Sequence, residues 1–340
     1  MQFNAGATFL LTAAAIFSTA AILSTAALQA AEPVRVVFDT DMGNDVDDAL
    51  ALAVLHALQS RGEARLLAVT ITKDNRHAAT FIDLVNTFYG RGSIPVGAVR
   101  NGKTPEDSAM IRVPSERRKP DGSFVYPRRL TGSAPEAVPV LRRARAAEPD
   151  GSVVIVQVGF STNLARLLAS GPDDASPLSG AQLAAQKVRL LSAMAGWFPT
   201  GNPEYNVKTD IPAAQKVFHD WPSPIVFSGF EIGQALLFPA ASIENDFAWT
   251  PNHPVADAYR AYQRMPYDRP TWDLTAALYA VRPTRDYFSL SPAGRVTVDE
   301  KGQTHFTADA AGRHRYLVLD PSRKGRTLEA LIELASQPRY

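Results

Sequence analysis

A short apolar run that ends in a cluster of aspartates limits what this chain can become. Val34 to Phe38 is largely β-branched and aromatic, which predicts a buried strand. Asp39, Asp41, Asp45, Asp47 and Asp48 follow within ten residues, and the Ala- and Leu-rich stretch from Ala49 to Leu58 predicts a helix. The acids therefore occupy a strand-to-helix turn at the C-terminal edge of a parallel sheet, where open α/β folds place their ligands. Carboxylates crowded in this way repel one another unless a hard cation or positive dipoles compensate. The residues alone point to a Ca²⁺ or Mg²⁺ site with catalytic carboxylates beside it. The plainer alternative is that Asp47 and Asp48 only cap the helix and complement its dipole. An EF-hand does not fit. Counted from Asp39, Gly43 is fifth and Leu50 twelfth, whereas that loop needs Gly at the sixth position, Glu at the twelfth and a helix in front.

The N-terminal segment reads separately. Met1 to Ala31 carries no charged side chain, is Ala-rich and offers small residues from Ala26 to Ala31. It is expected to be a secretory signal peptide over residues 1–30, leaving 31–340 as the mature domain and a secreted or periplasmic protein with no membrane attachment. A retained membrane anchor is the alternative reading.

Composition excludes several classes. With 35 basic and 34 acidic residues the formal charge is +1, so nothing favours nucleic acid or an acidic membrane as partner. The absence of cysteine rules out disulfides, thiolate zinc and a Cys nucleophile. The length after the leader suits one large α/β domain or two smaller ones.

Strand-like and helix-like patterns then alternate. Strands are expected at Arg35–Asp39, Leu66–Thr72, Ile94–Ala98, Val153–Val158, Val188–Met194 and Pro224–Ser228. Helices are expected over Val46–Gln59, Ala78–Tyr89, Leu164–Ser170 and Ile211–His219. This order implies a mostly parallel central sheet flanked by helices. The Pro-, Arg- and Ser-rich stretch Arg112–Glu136 reads as a long surface excursion. Tyr287–Phe306 suggests a small antiparallel element, and Arg326–Ser336 a final helix.

The motif Asp39-Thr-Asp41-Met-Gly43, with Asp47-Asp48-Ala49 opening a helix, resembles the N-terminal signature of the Ca²⁺-dependent inosine/uridine-preferring nucleoside hydrolases. Four further blocks resemble that family in order: Gly159-Phe-Ser-Thr-Asn-Leu-Ala165; Met194-Ala-Gly196 with Gly201-Asn202 and Glu204-Tyr-Asn206; Gly229-Phe-Glu231; and Trp272-Asp273. The resemblance runs from about Val34 to the C-terminus. It implies a single α/β domain and hydrolysis of the N-glycosidic bond of ribonucleosides, with a Ca²⁺ that holds the attacking water and the ribose hydroxyls. It also implies a nucleoside as partner and a homo-oligomer, dimer or tetramer. By motif, Asp41 resembles a metal ligand that is also the general base. Asp48, Asp273 and the Val158 carbonyl resemble the remaining protein ligands. Asp47, Asn75, Met194, Asn202, Glu204, Asn206 and Trp272 fall at substrate-contacting positions, and Asp39 behind the metal ligands. Such an all-oxygen shell suits Ca²⁺. Carboxylates near the sugar would stabilise the oxocarbenium-like charge of glycoside cleavage.

Two departures stand out. The acidic turn is two residues longer than the common family form, and Asn44 and Asp45 are the extra residues, with no transferable role. The position that holds a leaving-group His in familiar members is Trp272, which can stack on a base but cannot donate an acidic proton. Tyr259, Tyr262, Tyr267, Asp268 and Arg269 ahead of it, and Trp197 and Phe198 earlier, are the candidate replacements, each aromatic set against a core-packing role. His56 and His219 read as structural or surface histidines. Two other readings stay open: a non-catalytic nucleoside-binding homologue, and a haloacid-dehalogenase-like Mg²⁺ phosphatase with Asp39 as nucleophile in Asp39-Thr-Asp41.

Overall fold

The β-branched run after Glu32 forms strand β1 (Val34–Thr40), whose Val36, Val37 and Phe38 are fully buried. The computed structural model describes residues 1–3, 32–199 and 201–338. The leader expected over residues 1–30 lies, from Asn4 onward, outside the described residues. Helix α1 (Asp47–Ser60) follows the acidic turn, then β2 (Ala64–Lys73), α2 (Ala78–Phe88), β3 (Val96–Lys103) and the helices α3 (Ala109–Glu116) and α4 (Ala137–Ala146). The second half brings β4 (Val153–Gln157), α5 (Thr162–Ala169), α6 (Gly180–Lys187), β5 (Val188–Met194), α7 (Tyr205–Thr209), α8 (Ile211–Asp220) and β6 (Ile225–Ser228). Short elements follow: α9 (Phe230–Gln234), β7 (Leu237–Phe238), α10 (Ala240–Asn245), α11 (Pro254–Tyr262) and β8 (Arg269–Pro270). The chain ends with α12 (Trp272–Val281), β9 (Ser289–Leu290), β10 (Gly294–Val298), β11 (Thr304–Ala308), β12 (His314–Val318) and α13 (Lys324–Ser336).

Among the described residues, ten of these strands build one sheet in the order β11-β10-β12-β6-β5-β4-β1-β2-β3, with β9 paired to β12, and β7 and β8 pair antiparallel on their own. Every neighbour pair from β12 to β3 is parallel, and β9, β10 and β11 add the antiparallel element near the C-terminus. The order explains where a ligand can sit. The chain moves outward from β1 through β2 to β3, then returns to pair β4 against the other side of β1. The carboxyl ends of β1 and β4 therefore diverge into a crevice, the topological switch point of an open α/β sheet.

Helix α1 is buried from Asp47 through Leu58. Each fully buried Leu or Val contributes roughly 1.5–3 kcal/mol, so the helix that begins with Asp47-Asp48 is held firmly. Helix α12 packs against it and is buried from Asp273 through Val281.

Most expected elements stand within one or two residues of their sequence-based bounds. The third strand starts at Val96, not Ile94, because Pro95 has no N–H to give a ladder. Its carbonyl still accepts from Val69, and the strand runs on to Lys103. The Arg112–Glu136 stretch is not wholly a surface excursion. Its first residues belong to α3, whose Met110 and Ile111 are fully buried, and the Tyr126 hydroxyl donates to Asp257 at 2.5 Å. A cluster as short as Ala109, Met110, Ile111 and Val113, followed by Pro114, gives too weak a period to announce a helix. Among the described residues, no helix is long and apolar enough to cross a membrane.

Candidate active site

Two helix N-termini deliver the acids. Helix α1 opens with Asp47 and Asp48, and its N-cap residue Val46 makes no side-chain cap bond. Helix α12 opens with Trp272 and Asp273, and the Asp273 N–H donates to Asp47 Oδ2 at 3.0 Å. The positive ends of both helix dipoles thus face the same carboxylates. Gly159, just past β4, lets the backbones close up. A Cβ there would come within 2.5 Å of the Asp41 nitrogen, so a larger residue would push the β4 turn off the acidic turn.

The pocket between these elements has a volume of about 360 Å³. Asp41, Asp47, Asp48 and Asp273 line one side, with Val158 and Met194 from the ends of β4 and β5. Glu204 and Asn206 line it from the start of α7. Glu204 Oε1 accepts from the Asn206 N–H at 2.8 Å, and Oε2 from Gly196 and Val207 at 3.2 Å. The Asn206 amide donates to the Val158 carbonyl at 2.8 Å and to the Met194 carbonyl at 3.1 Å. That carbonyl keeps a second lone pair.

Three sequence-predicted positions lie elsewhere. Asp39 sits behind the pocket, fully buried, with Oδ1 accepting from Thr70 at 2.6 Å and Asn163 at 2.8 Å. Asn75 is half-buried and spends its amide on the Pro105 and Glu106 carbonyls. Asn202 is exposed. None of the three is part of the pocket lining.

Burial and mutual repulsion hold the pocket carboxyls well above their usual range, a load that a bound cation would relieve. Burial pushes Asp41 up to about 7, against a hydrogen bond from Asn44 that favours the ionised form. Burial raises Asp47, Asp48 and Asp273 as well. The neighbouring Asp45 adds to this at Asp47, Asp41 at Asp48, and Asp47 at Asp273. Burial likewise moves Glu204 up to about 7, although three backbone N–H groups oppose it. Asp47, Asp48 and Asp273 each offer an oxygen, and these atoms lie within 4.8 Å of one another. Metal–oxygen bonds of about 2.3–2.6 Å span that separation. Asp48 Oδ1 accepts from the Thr40 hydroxyl, while Asp48 Oδ2 is buried with no hydrogen-bond partner among the described residues. The donor set is all oxygen, so these residues fit a hard divalent cation. The tight triad includes Asp47, which the resemblance placed at the sugar.

Asn44 and Asp45, unassigned by sequence, both line the pocket. Asn44 Nδ2 donates to Asp41 Oδ2 at 2.7 Å, and Asn44 Oδ1 accepts from the Lys73 ammonium at 2.9 Å. Asp45 pairs with Arg269, whose Nε donates to Asp45 Oδ1 at 2.9 Å. The other side of the pocket is aromatic, formed by Phe230, Tyr262 and Trp272. The Trp272 indole N–H donates to the Phe230 carbonyl at 2.9 Å, and the two rings lie 5.2 Å apart. The Trp197 ring packs against Phe230, tilted by 31° with centroids 4.3 Å apart. Tyr259 and Tyr267 stack on each other at 4.4 Å, and Tyr259 and Phe198 are core residues. Tyr205, not singled out by sequence, is half exposed at the pocket's edge. His56 is buried against Asn86, and His219 is exposed beside Asp220.

The chain and its fold are similar to known proteins. The family model described as inosine-uridine preferring nucleoside hydrolase matches residues 36–330. No curated protein is matched by the sequence. A plant nucleoside hydrolase is similar in fold, with 23% identity, 90% of this chain and 100% of that chain covered, and a TM-score of 0.65. An inosine-uridine preferring nucleoside hydrolase from Bacillus anthracis shares 18% identity over 89% of this chain and 99% of its own, with a TM-score of 0.67. A purine-preferring ribonucleoside hydrolase from Gardnerella vaginalis shares 18% identity over 89% and 98%, with a TM-score of 0.65. At such identities the likeness carries the fold, whereas the family match runs through β1 and the acidic turn to α13. The chain therefore belongs to the inosine-uridine preferring nucleoside hydrolase family and is a glycosidase acting on nucleosides.

Proposed function

We propose that the protein hydrolyses the N-glycosidic bond of ribonucleosides to free base and ribose, with a Ca²⁺ ion in the pocket. The observation that carries this reading is the buried Asp47–Asp48–Asp273 triad at the switch point, with Asp48 Oδ2 unpartnered. Asp47, Asp48 and Asp273, with Asp41 and the Val158 carbonyl beside them, would hold the cation. When bound, Ca²⁺ supplies charge that polarises a water and orients the sugar hydroxyls. Asn44 engages Asp41 Oδ2, which leaves Oδ1 to take the proton of the attacking water. Glu204, fixed by three backbone N–H groups, stabilises the positive charge that develops on the ribosyl ring. Asn206 and Glu204 present polar atoms to the sugar, and the wall of Phe230, Tyr262 and Trp272 offers faces on which a base can stack.

A phosphatase built on Asp39 fits this geometry poorly. Its nucleophile would have to reach substrate, and Asp39 is sealed behind the pocket with one oxygen bonded to Thr70 and Asn163. The test is chromatography of uridine, cytidine, inosine and adenosine incubated with the purified protein and Ca²⁺. Release of free base supports the reading. Tight nucleoside binding without release would make the protein a binding homologue instead.

A further inference from the structure

Asp45, one of the two residues that lengthen the acidic turn, holds a cation on the aromatic wall. Arg269 Nε and Nη2 are both engaged by the Asp45 carboxylate, and Nη2 also donates to the Tyr262 hydroxyl at 3.1 Å. The guanidinium carbon lies 5.1 Å from the Tyr262 ring centroid and 5.3 Å from that of Trp272. Arg269 lines the pocket, and its Nη1 has no hydrogen-bond partner among the described residues. A neutral base needs only stacking from such a wall. A fixed guanidinium N–H matches negative charge, which appears on the base only as the glycosidic bond breaks.

We propose that Arg269, positioned by Asp45 and Tyr262, stabilises the departing base as an anion. This rests on the nucleoside hydrolase reading above. The water oxygen bonds to C1′ and gives a proton to Asp41. The C1′–N bond breaks with its electron pair on the base, whose negative charge spreads onto the ring carbonyl oxygen. Arg269 Nη1–H hydrogen-bonds that oxygen and keeps its own proton, since a guanidinium is not deprotonated in proteins. The released base takes its proton from solvent. Asp45 neutralises the net charge of Arg269 but occupies only one edge of the fork, so the remaining donor stays directional.

The test compares leaving groups. Uridine and inosine need help to depart, whereas 4-nitrophenyl riboside releases a stable phenolate without it. Arg269→Gln should lower kcat on uridine and inosine by about 100-fold or more, the usual cost of a missing donor to developing negative charge. It should change 4-nitrophenyl riboside turnover by less than about 5-fold. Asp45→Asn, which frees the guanidinium, should show the same selective loss at smaller size and serves if Arg269→Gln does not fold. Equal losses on both substrate types in folded variants, or no loss on nucleosides, would overturn the proposal. Wild-type protein that cleaves the aryl riboside but no nucleoside also overturns it and leaves the glycosidase intact. Wild type inert on both defeats the hydrolase reading, and this proposal with it.

Discussion

The backbone N–H of Asp273 donates a 3.0 Å hydrogen bond to Oδ2 of Asp47, 226 residues earlier in the chain. This bond joins the first turns of α12 and α1, which carry the buried triad between them. The acidic turn is therefore closed by a late helix, and neither half makes the site alone.

Removing one carboxylate should separate metal binding from folding. In Asp48→Asn the unpartnered oxygen becomes an amide, and one source of repulsion from Asp41 and Asp47 disappears. The chelated variant should melt at or above the chelated wild type, while added Ca²⁺ should no longer raise its Tm. Metal analysis and paired thermal melts check both statements; a stoichiometric ion retained by this variant would remove Asp48 from the ligand set.

The metal-free protein should lose stability as pH rises. Asp41 and Glu204 are pushed by burial up to about 7, above their unfolded values near 4. Between those limits the folded state binds protons that the unfolded state has released, so this contribution is full below about pH 4 and is lost as pH climbs through about 7. Chelated protein should melt lower at pH 8 than at pH 5, and Ca²⁺ should raise Tm more at pH 8. A metal-induced shift that is the same at both pH values would contradict the burial argument.

Much of this was legible locally. The β-branched run from Val34 and the density of acids after it announced β1, the turn and α1, because strand propensity, helix propensity and charge crowding are properties of neighbouring residues. Asp273 was reachable only through family resemblance, since nothing near Trp272-Asp273 marks it as the partner of a turn more than two hundred residues away. The Asp45–Arg269 pair was invisible for the same reason, and the extra residues Asn44 and Asp45 read as a bare insertion. Asn75 and Asn202, carried over by motif, do not line the pocket. Here one amide is spent on loop carbonyls and the other faces solvent.

Sugar selectivity should follow from the fixed polar groups. Sites that hydrogen-bond a hydroxyl reject analogues lacking it by up to about 10⁴-fold, because their own buried groups are left unpaired. Uridine should exceed 2′-deoxyuridine in kcat/KM by at least about 100-fold. Asn206→Ala should narrow that gap and also disturb the Val158 and Met194 carbonyls it bridges. Steady-state kinetics on the two nucleosides decides this, and near-equal values for wild type would mean that the sugar sits elsewhere.

Trp272 should act through its ring. Its N–H is already committed to the Phe230 carbonyl, so it is not free to serve the base. Trp272→Phe keeps an aromatic face and loses one hydrogen bond, worth about 1 kcal/mol. It should retain most activity with a slightly lower Tm. Trp272→Ala should raise KM strongly. If Trp272→Phe folds, binds Ca²⁺ and binds nucleoside but does no chemistry, the indole N–H has a direct part in catalysis.

This carboxylate pocket should cleave nucleosides only when it holds a divalent cation. Ribose release from inosine and uridine, followed while chelated protein is titrated with Ca²⁺, tests that dependence most directly. The chelated protein should release no sugar, activity should rise to saturation near one ion per chain, and Asp48→Asn should show none at any Ca²⁺ level. Undiminished ribose release from fully chelated wild-type protein, or release by Asp48→Asn at the wild-type rate, would contradict that dependence.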